Sequence, residues 1–283
     1  MKGGEKVVIV TGTSSGIGFE TAVLLARNGF MTYATMRNPV KSTRLSDLAN
    51  KEKLDIKIRK LDVNDETGIN ETIDQVISET GRIDVLVNNA GYAIFGALED
   101  TALDEIREQF ETNFFGPVRT IKAVIPIMKK QNGGKIINLS SMVGRFGVPF
   151  NSAYVASKFA LEGITESTRY ELHDYNIKII LVEPGIIKSH FFQNVKISNK
   201  STSSYSKLLK KRMEGIETML KKATHPEIVA EVILDIINSR NTNIRYLVGH
   251  DAEFMLKLKK NATDEEFEDR LRKTFSSGKG YIN

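Results

Sequence analysis

Short apolar runs recur along the chain and alternate with longer segments in which apolar residues have a helical spacing. Seven of these runs have the length and composition of strands: residues 5–11, 30–36, 55–63, 83–87, 135–139, 177–182 and 244–248. Continuous apolar runs of this length are typical of strands that are buried on both faces of a sheet. Residues 55–63 differ, because they alternate apolar and polar positions, which also predicts a strand. Apolar residues three and four positions apart predict helices over residues 19–28, 66–80, 101–130 and 154–175, and again after residue 226.

The alternation of strands with helices predicts right-handed crossovers and a parallel sheet that is covered on both faces. Neither a linker nor a repeat divides residues 1–283. We therefore predict one α/β domain, a doubly wound Rossmann domain with a mostly parallel seven-stranded sheet and helices on both faces. Gly116 and Pro117 should bend or interrupt the longest helical segment. Ligands bind beyond the carboxyl ends of such strands, so residues 189–224 are predicted to form a lid over the substrate.

A glycine-rich segment joins the first strand to the first helix. It reads Gly12, Thr13, Ser14, Ser15, Gly16, Ile17 and Gly18. Glycines at a strand-to-helix turn let the backbone approach a pyrophosphate, whose charge is met by the amides of the helix N-terminus. A simple tight turn is the alternative, but the strand before it and the helix after it favour phosphate binding.

The end of the second strand bears on the choice of cofactor. In NAD-binding folds an acidic residue near this point takes the ribose 2′-hydroxyl. Here the strand ends in Met36 and Arg37, without an acid. Arg37 can instead pair with a 2′-phosphate, to which Ser15 can also donate. We therefore expect NADP(H) to be preferred, with NAD(H) possible; the alternative is that Arg37 is an ordinary surface arginine.

Tyr154 and Lys158 are four residues apart in a predicted helix, so their side chains can share one face. A free tyrosine has a pKa of about 10, and lowering it by about 3 units needs roughly 4 kcal/mol. One positive charge about 4 Å away supplies roughly that much at an effective dielectric near 20. The pair can therefore form a proton donor and acceptor near neutral pH. Taken alone, the same spacing is often just an aromatic contact beside a solvated charge.

Composition and charge narrow the classes of function only slightly. The chain has 283 residues, no cysteine, a net charge of +5 and a pI of about 9.1. Disulfide and thiolate chemistry are therefore excluded. The basic balance permits a nucleic-acid partner, but no nucleic-acid-binding motif is present, and the four histidines lack metal-ligand spacing. We predict no nucleic acid, no metal, no membrane span and a cytoplasmic location, because neither a signal peptide nor a long apolar run is evident.

Seven motifs together resemble the classical short-chain dehydrogenase/reductase family, in its order and at its spacings. They are Thr11-Gly12-x-x-x-Gly16-x-Gly18, Asp62, Asn88-Asn89-Ala90-Gly91, Asn113, Ser141, Tyr154-x-x-x-Lys158 and Pro184-Gly185. The resemblance covers about residues 5 to 250. The segment from Tyr33 to Arg37 is similar to the branch that includes hydroxysteroid and retinol dehydrogenases, which tends to prefer NADP(H).

The resemblance implies the catalytic roles. Tyr154 would exchange a proton with the substrate oxygen, while Lys158 would lower the pKa of Tyr154 and bind the nicotinamide ribose. Ser141 would hold the substrate oxygen, with Ser140 as the less favoured alternative. Asn113 would hold the helix bend and a water that leads protons to Lys158.

The resemblance also implies cofactor contacts outside the glycine turn. Asp62, with its neighbour Val63, would meet the adenine. The remaining contacts would line the cleft or cover the nicotinamide: Asn89, Ala90, Gly91, Pro184, Gly185, Ile187 and Ser189. Ser189 stands where the family often has threonine, and it keeps the hydroxyl. A homodimer or homotetramer is expected from the family.

The substrate is predicted to be a carbonyl or secondary alcohol with apolar character. Apolar residues in the predicted lid suggest the pocket lining: Phe191, Phe192, Ile197, Tyr205, Leu208 and Leu209. The basic residues of 191–222 leave open a 3-oxoacyl thioester on an anionic carrier, although a solvated helix face is the simpler explanation. A nucleotide-binding regulator without turnover is a further alternative. A sugar-nucleotide epimerase or dehydratase is disfavoured, because its usual G-x-x-G-x-x-G turn and larger C-terminal domain are missing.

Overall fold

The computed structural model describes residues 5–189, 191–192, 195–198 and 203–277. Within these residues one parallel sheet has the strand order β3-β2-β1-β4-β6-β7-β9, and β5 pairs with β8 in a small second sheet. The strands are β1 (Val7–Thr11), β2 (Met31–Met36), β3 (Ile56–Lys60), β4 (Val85–Asn88), β5 (Ile94–Phe95), β6 (Gly134–Leu139), β7 (Ile177–Pro184), β8 (Lys196–Ile197) and β9 (Arg245–Val248). The predicted doubly wound Rossmann domain with seven strands is confirmed.

The helices of the described residues follow the strands along the chain. They are α1 (Gly16–Arg27), α2 (Thr43–Glu52), α3 (Glu66–Thr80), α4 (Leu103–Phe110), α5 (Gly116–Lys130), α6 (Ser152–Glu171), α7 (Ser203–Leu220), α8 (Pro226–Asn238), α9 (His250–Lys260) and α10 (Asp264–Ser277). None of the helices in the described part of the chain combines the length and the apolar character that a membrane crossing requires.

Both faces of the sheet are buried, because successive side chains of each strand point to opposite faces. In β1, Val7 and Ile9 pack with residues of α3 and α5, whereas Val8 and Val10 pack with residues of α1 and α8. This packing explains why the first four residues of the strand are all apolar. A third apolar cluster, which includes Phe146 and Phe267, joins α7, α9 and α10 near the carboxyl ends of the strands.

The long helix predicted over residues 101–130 is interrupted, but not where the glycine and proline led us to expect. A π-helical turn at Glu111–Phe115 separates α4 from α5, and Gly116 is the first residue of α5. Pro117 lies in the first turn of α5, where it needs no amide donor. The interruption therefore comes from the wider hydrogen-bonding pattern around Asn113 rather than from the proline.

Candidate active site

A large cleft opens at the carboxyl ends of the central strands and has a cavity volume of about 1060 Å³. This is the place where ligands bind in doubly wound sheets. The cleft brings together these predicted site residues: Gly12, Ser14, Ser15, Gly16, Ile17, Arg37, Asp62, Val63, Asn89, Ala90, Gly91, Ser141, Tyr154, Lys158, Pro184, Gly185, Ile187 and Ser189. Thr13, Gly18 and Asn113 do not line it.

The glycine turn forms the floor at one end of the cleft. Gly12 has φ of 72°, and a Cβ there would lie 2.8 Å from Ala90 Cα. Gly18 lies so close to the carbonyl oxygen of Gly12 and to Asn89 that any side chain would overlap them. The Asn89 amide donates to the carbonyl oxygens of Thr11 (2.9 Å) and Gly12 (3.0 Å). Asn89, the first residue after the neighbouring strand β4, therefore holds the turn in place.

The turn fits the pyrophosphate of a dinucleotide. Glycines keep side chains out of the space above the backbone, and Ser15 directly precedes the first residue of α1. The free amides of that helix N-terminus can therefore face an anion. Thr13 has a different role, since it is fully buried and its hydroxyl donates to the Thr35 carbonyl oxygen at 3.2 Å.

The adenosine end of such a ligand would meet the ends of β2 and β3. Arg37 is exposed and lines the cleft just after β2. Asp62 lines it too, and its carboxylate accepts a hydrogen bond from the Asn64 amide at 3.0 Å. Val63 packs so close to Gly116 that a Cβ on that glycine would lie 2.8 Å from its side chain. The cleft therefore carries the cation Arg37 beside the ends of β2 and β3.

Tyr154 and Lys158 lie in the first turns of α6 and are both buried. The ammonium of Lys158 lies 5.6 Å from the centre of the Tyr154 ring and donates to the carbonyl oxygen of Leu139 at 2.7 Å. Ser141 is the second residue after β6 and is hydrogen-bonded to the Tyr154 phenol. The helix and the sheet thus hold a phenol, a hydroxyl and an ammonium on one wall of the cleft.

The expected lowering of the Tyr154 pKa by Lys158 is wrong for this arrangement. Burial raises the pKa of Tyr154 to about 12, and the hydrogen bond with Ser141 offsets only part of that rise. Burial also lowers the pKa of Lys158 to about 8, against the favourable charge of Glu162. At neutral pH the phenol therefore keeps its proton and Lys158 stays charged. A phenol that keeps its proton can act as an acid toward a developing alkoxide.

Asn113 lies in the π-helical turn and is almost completely buried. Its side-chain oxygen accepts from the Tyr92 amide at 3.1 Å, and its nitrogen donates to the Tyr92 carbonyl oxygen at 2.9 Å and to Ser157 at 3.3 Å. These bonds join the turn both to the segment after β4 and to α6. The hydrogen bonds of Asn113 therefore connect the π-helical turn to its neighbours, and its side chain does not line the cleft.

The segment after β7 forms the opposite wall. Pro184, Gly185, Ile187 and Ser189 all line the cleft, as does Ile186. The buried Asp251 carboxylate accepts from the Ile186 amide at 2.6 Å, and the same carboxylate would overlap any Cβ on Gly185. Asp251 therefore fixes the course of this wall. Sequence reasoning missed it, because it lies 65 residues from Ile186.

Apolar side chains line the remaining part of the cleft. The group consists of Phe95, Met142, Val143, Val148, Ile186, Phe191, Phe192 and Ile216. The Phe191 ring lies 5.8 Å from the Tyr154 ring. Ile197 and Leu208 were expected here but are exposed, because their side chains are on outward-facing positions of β8 and α7. Tyr205 packs on Phe150 and Leu209 is buried in the third cluster, so neither lines the cleft.

Some residues of the predicted lid lie outside the described part of the chain, namely 190, 193, 194 and 199–202. The described part contacts the body of the domain. β8 pairs in parallel with β5, and the Ser198 hydroxyl donates to the Asp100 carbonyl oxygen at 2.5 Å. Among the described residues, no group of three or more metal-binding side chains comes together.

The geometry agrees with comparisons to known proteins. The family model described as short chain dehydrogenase matches residues 6–200. The chain is 38% identical over 248 residues to 3-ketodihydrosphingosine reductase of Bacteroides thetaiotaomicron, covering 86% of this chain and 88% of the relative. It is 36% identical over 266 residues to retinol dehydrogenase 8 of Homo sapiens, covering 87% and 84%.

A solved structure is also similar to this chain. The structure of ElxO with NADP bound superimposes with a TM-score of 0.72 and 30% sequence identity, covering 87% of this chain and 96% of that one. The chain therefore belongs to the short-chain dehydrogenase family of oxidoreductases, in which it resembles the retinol dehydrogenase-like branch.

Proposed function

We propose that this protein is an NADP(H)-dependent reductase of apolar ketones or aldehydes, which can also run in the alcohol-oxidising direction. One observation carries the proposal: the buried phenol of Tyr154, hydrogen-bonded to Ser141, shares a wall with the Lys158 ammonium in the cleft that begins at the glycine turn. The bound nicotinamide would supply or accept the hydride. The chain's own residues would bind and orient the cofactor and the substrate, and would protonate the substrate oxygen.

Ser141 and Tyr154 would both donate to the substrate oxygen, where negative charge develops during reduction. Preorganised donors of this kind are worth about 3 kcal/mol each. The pKa of Tyr154, raised to about 12 by burial, keeps its proton available throughout the neutral range. Lys158, with its pKa near 8, would keep the site positively charged up to mildly alkaline pH. At neutral pH these pKa values keep Tyr154 in the protonated form that carbonyl reduction requires.

The apolar lining supports a substrate with a long hydrocarbon part. Phe191, Phe192 and Ile216 belong to that lining, and two relatives are named for 3-ketodihydrosphingosine and for retinol, which both have such a part. We expect the enzyme to oxidise NADPH with long-chain ketones or aldehydes, and to prefer them by roughly tenfold or more in kcat/KM over short ones. A panel of matched chain lengths, assayed with NADPH and NADH, measures this preference. No turnover with any carbonyl would favour a regulator that only binds nucleotide.

A 3-oxoacyl thioester on an anionic carrier is a second candidate. The buried Arg212 and the exposed Lys196 both line the cleft, next to the apolar residues. The two candidates are separated by adding a 3-oxoacyl thioester and a ketone of the same chain length to the panel. A clear preference for the thioester would replace the first proposal. The lid role of residues 189–224, a homodimer or homotetramer and a cytoplasmic location stay predictions.

Arg37 supports NADP(H) over NAD(H), and its replacement tests that preference. We expect Arg37→Ala to weaken NADPH binding by roughly 10- to 100-fold, because a charge-assisted hydrogen bond to the 2′-phosphate is lost. NADH binding should change by less than about threefold, since that cofactor has no 2′-phosphate. Fluorescence titration of each cofactor gives the two affinities.

Lys60→Ala is the matched control for Arg37→Ala. Lys60 is an exposed cation at the end of the next strand, β3, and it does not line the cleft. We expect this variant to bind both cofactors as the wild type does. If Arg37→Ala weakens NADPH and NADH equally, Arg37 does not recognise the 2′-phosphate.

A further inference from the structure

A second group of ionisable side chains lies directly behind the catalytic wall. Glu183, in β7, is fully buried, and Glu162, in α6, is 5% exposed. The Nε atom of Arg245 lies 2.9 Å from Glu162 Oε2 and 3.3 Å from Glu183 Oε1. Because one nitrogen contacts both carboxyl groups, the two groups are close neighbours. Arg145 approaches from the other side and donates to Glu183 Oε1 at 3.1 Å.

Three buried oxygens in this group lack a hydrogen-bond partner among the described residues: Ser140 Oγ, Glu162 Oε1 and Glu183 Oε2. The first two face the same space, since a Cβ on Gly144 would lie 2.9 Å from Ser140 Oγ and 3.4 Å from Glu162 Oε1. Buried carboxylate oxygens are rarely left without a donor. A proton on one carboxyl group would provide that donor to the other.

Electrostatic repulsion between the two carboxylates also favours one proton on the pair. Two neighbouring carboxylates in a buried site cannot both ionise easily. Burial, followed by the charge of Glu162, raises the pKa of Glu183 to about 7, although Arg145 opposes the rise. When two carboxyl groups lie this close together, a proton bound between them belongs to the pair rather than to one residue. Near neutral pH the pair therefore changes from one negative charge to two.

We propose that Glu162 and Glu183 share one proton and act together as positioning residues for Lys158, an inference that rests on the catalytic role proposed for Lys158. Glu162 is four residues after Lys158 on α6, so the two side chains lie on one face, a turn apart. The Lys158 ammonium donates to Leu139, the last residue of β6, which pairs with Val182 just before Glu183. One member of the pair thus lies on the helix that carries Lys158, and the other lies on β7, the strand paired with the one that accepts the Lys158 hydrogen bond.

The charged groups around the carboxyl pair determine whether the pair raises or lowers the pKa of Lys158. Lys158 and the half-exposed Glu166 face it from α6, Arg245 faces it from β9, and Arg145 faces it from the segment after β6. As pH rises through about 7, the pair releases its proton to solvent and gains a second negative charge. The charge of Glu162 already raises the pKa of Lys158 against the effect of burial. We expect a second negative charge, on the neighbouring Glu183, to add to that support in the pH range where burial would otherwise remove the proton of Lys158. The pair would therefore extend activity toward alkaline pH.

Glu183→Gln tests this proposal, because glutamine imitates the protonated carboxyl group at every pH. At about pH 6 we expect kcat/KM for carbonyl reduction within about twofold of the wild type. At about pH 9 we expect it to be roughly tenfold lower, since each unit by which the pKa of Lys158 falls costs a factor of ten above that pKa. A pH profile that matches the wild type throughout would overturn the positioning role.

Glu166→Gln is the matched control, because Glu166 bonds the same Arg245 but is half-exposed. We expect its pH profile to be that of the wild type. If it shifts the profile as much as Glu183→Gln does, the effect comes from Arg245 and not from the carboxyl pair.

Infrared difference spectroscopy tests the shared proton without any turnover. The wild type should show a buried carboxylic acid band that disappears as pH rises through about 7. This band should be missing near that pH in both Glu162→Gln and Glu183→Gln and should remain in Glu166→Gln. Its persistence in the first two variants would overturn the shared proton. If the protein turned over no substrate, the function proposed above would be wrong. The infrared spectrum would still show whether the two carboxyl groups share a proton.

Discussion

Replacing Tyr154 with phenylalanine is expected to lower kcat for carbonyl reduction by roughly 10³-fold, because general acids of this kind contribute about 10²- to 10⁴-fold. The ring of Tyr154 packs against Phe191 and lies next to Lys158, and phenylalanine keeps both contacts. NADPH affinity should therefore stay within about threefold of the wild type, since only the hydroxyl is lost. Steady-state rates and a fluorescence titration of NADPH measure the two effects separately.

Tyr170→Phe is the matched control for Tyr154→Phe. Tyr170 belongs to the same helix, α6, but its side chain is 76% exposed. We expect this variant to have wild-type kcat and wild-type NADPH affinity. If Tyr154→Phe keeps most of the activity, the phenol does not supply the proton, and Ser141 would be the next group to test.

Replacing Gly12 with alanine is expected to damage both stability and cofactor binding. The residue has φ of 72°, and a Cβ would lie 2.8 Å from the Ala90 backbone, which cannot move away cheaply within the packed turn. The left-handed conformation alone costs about 1 kcal/mol with alanine. The steric contact should raise the loss to about 3 kcal/mol and weaken NADPH binding by at least roughly 100-fold, because the turn must shift away from the pyrophosphate site.

Gly29→Ala separates the cost of the left-handed backbone conformation from the cost of the steric contact. Gly29 has φ of 79°, but a Cβ there would meet nothing within 4 Å. This variant should lose about 1 kcal/mol in urea unfolding and bind NADPH normally. Equal stability losses for the two variants, with unchanged cofactor affinity in both, would contradict the account of the glycine turn.

The fold could be predicted from the sequence largely because its central strands are buried on both faces and are therefore mostly apolar. The β1 residues Val7 to Val10 show this directly, since alternate side chains enter two different clusters. The glycine turn was predictable for a similar reason: its positive φ and close contacts leave room only for glycine, and those glycines are local in sequence. Helix α2 was missed, because only Leu45 and Ala49 of it are buried and its apolar pattern is too sparse.

Other features depend on contacts that no local pattern records. The π-helical turn forms around Asn113, whose partners Tyr92 and Ser157 lie 21 and 44 residues away. Arg245 meets Glu162 across 83 residues, so the buried carboxyl pair has no sequence signature. The same limit explains the wrong expectation for the pKa of Tyr154. Sequence spacing gave the neighbouring charge of Lys158, but the opposing cost of burial depends on the surrounding fold.

The most direct test of the proposed reaction is to follow the hydrogen that is transferred. NADPH with deuterium at both nicotinamide C4 positions would be incubated with the wild type and a long-chain ketone, and the alcohol product would be examined by mass spectrometry and NMR. We predict one deuterium on the carbinol carbon, and no such product with Tyr154→Phe over the same time. Tight NADPH binding without deuterium transfer to any ketone or aldehyde would contradict the proposal that this cleft is a reductase site.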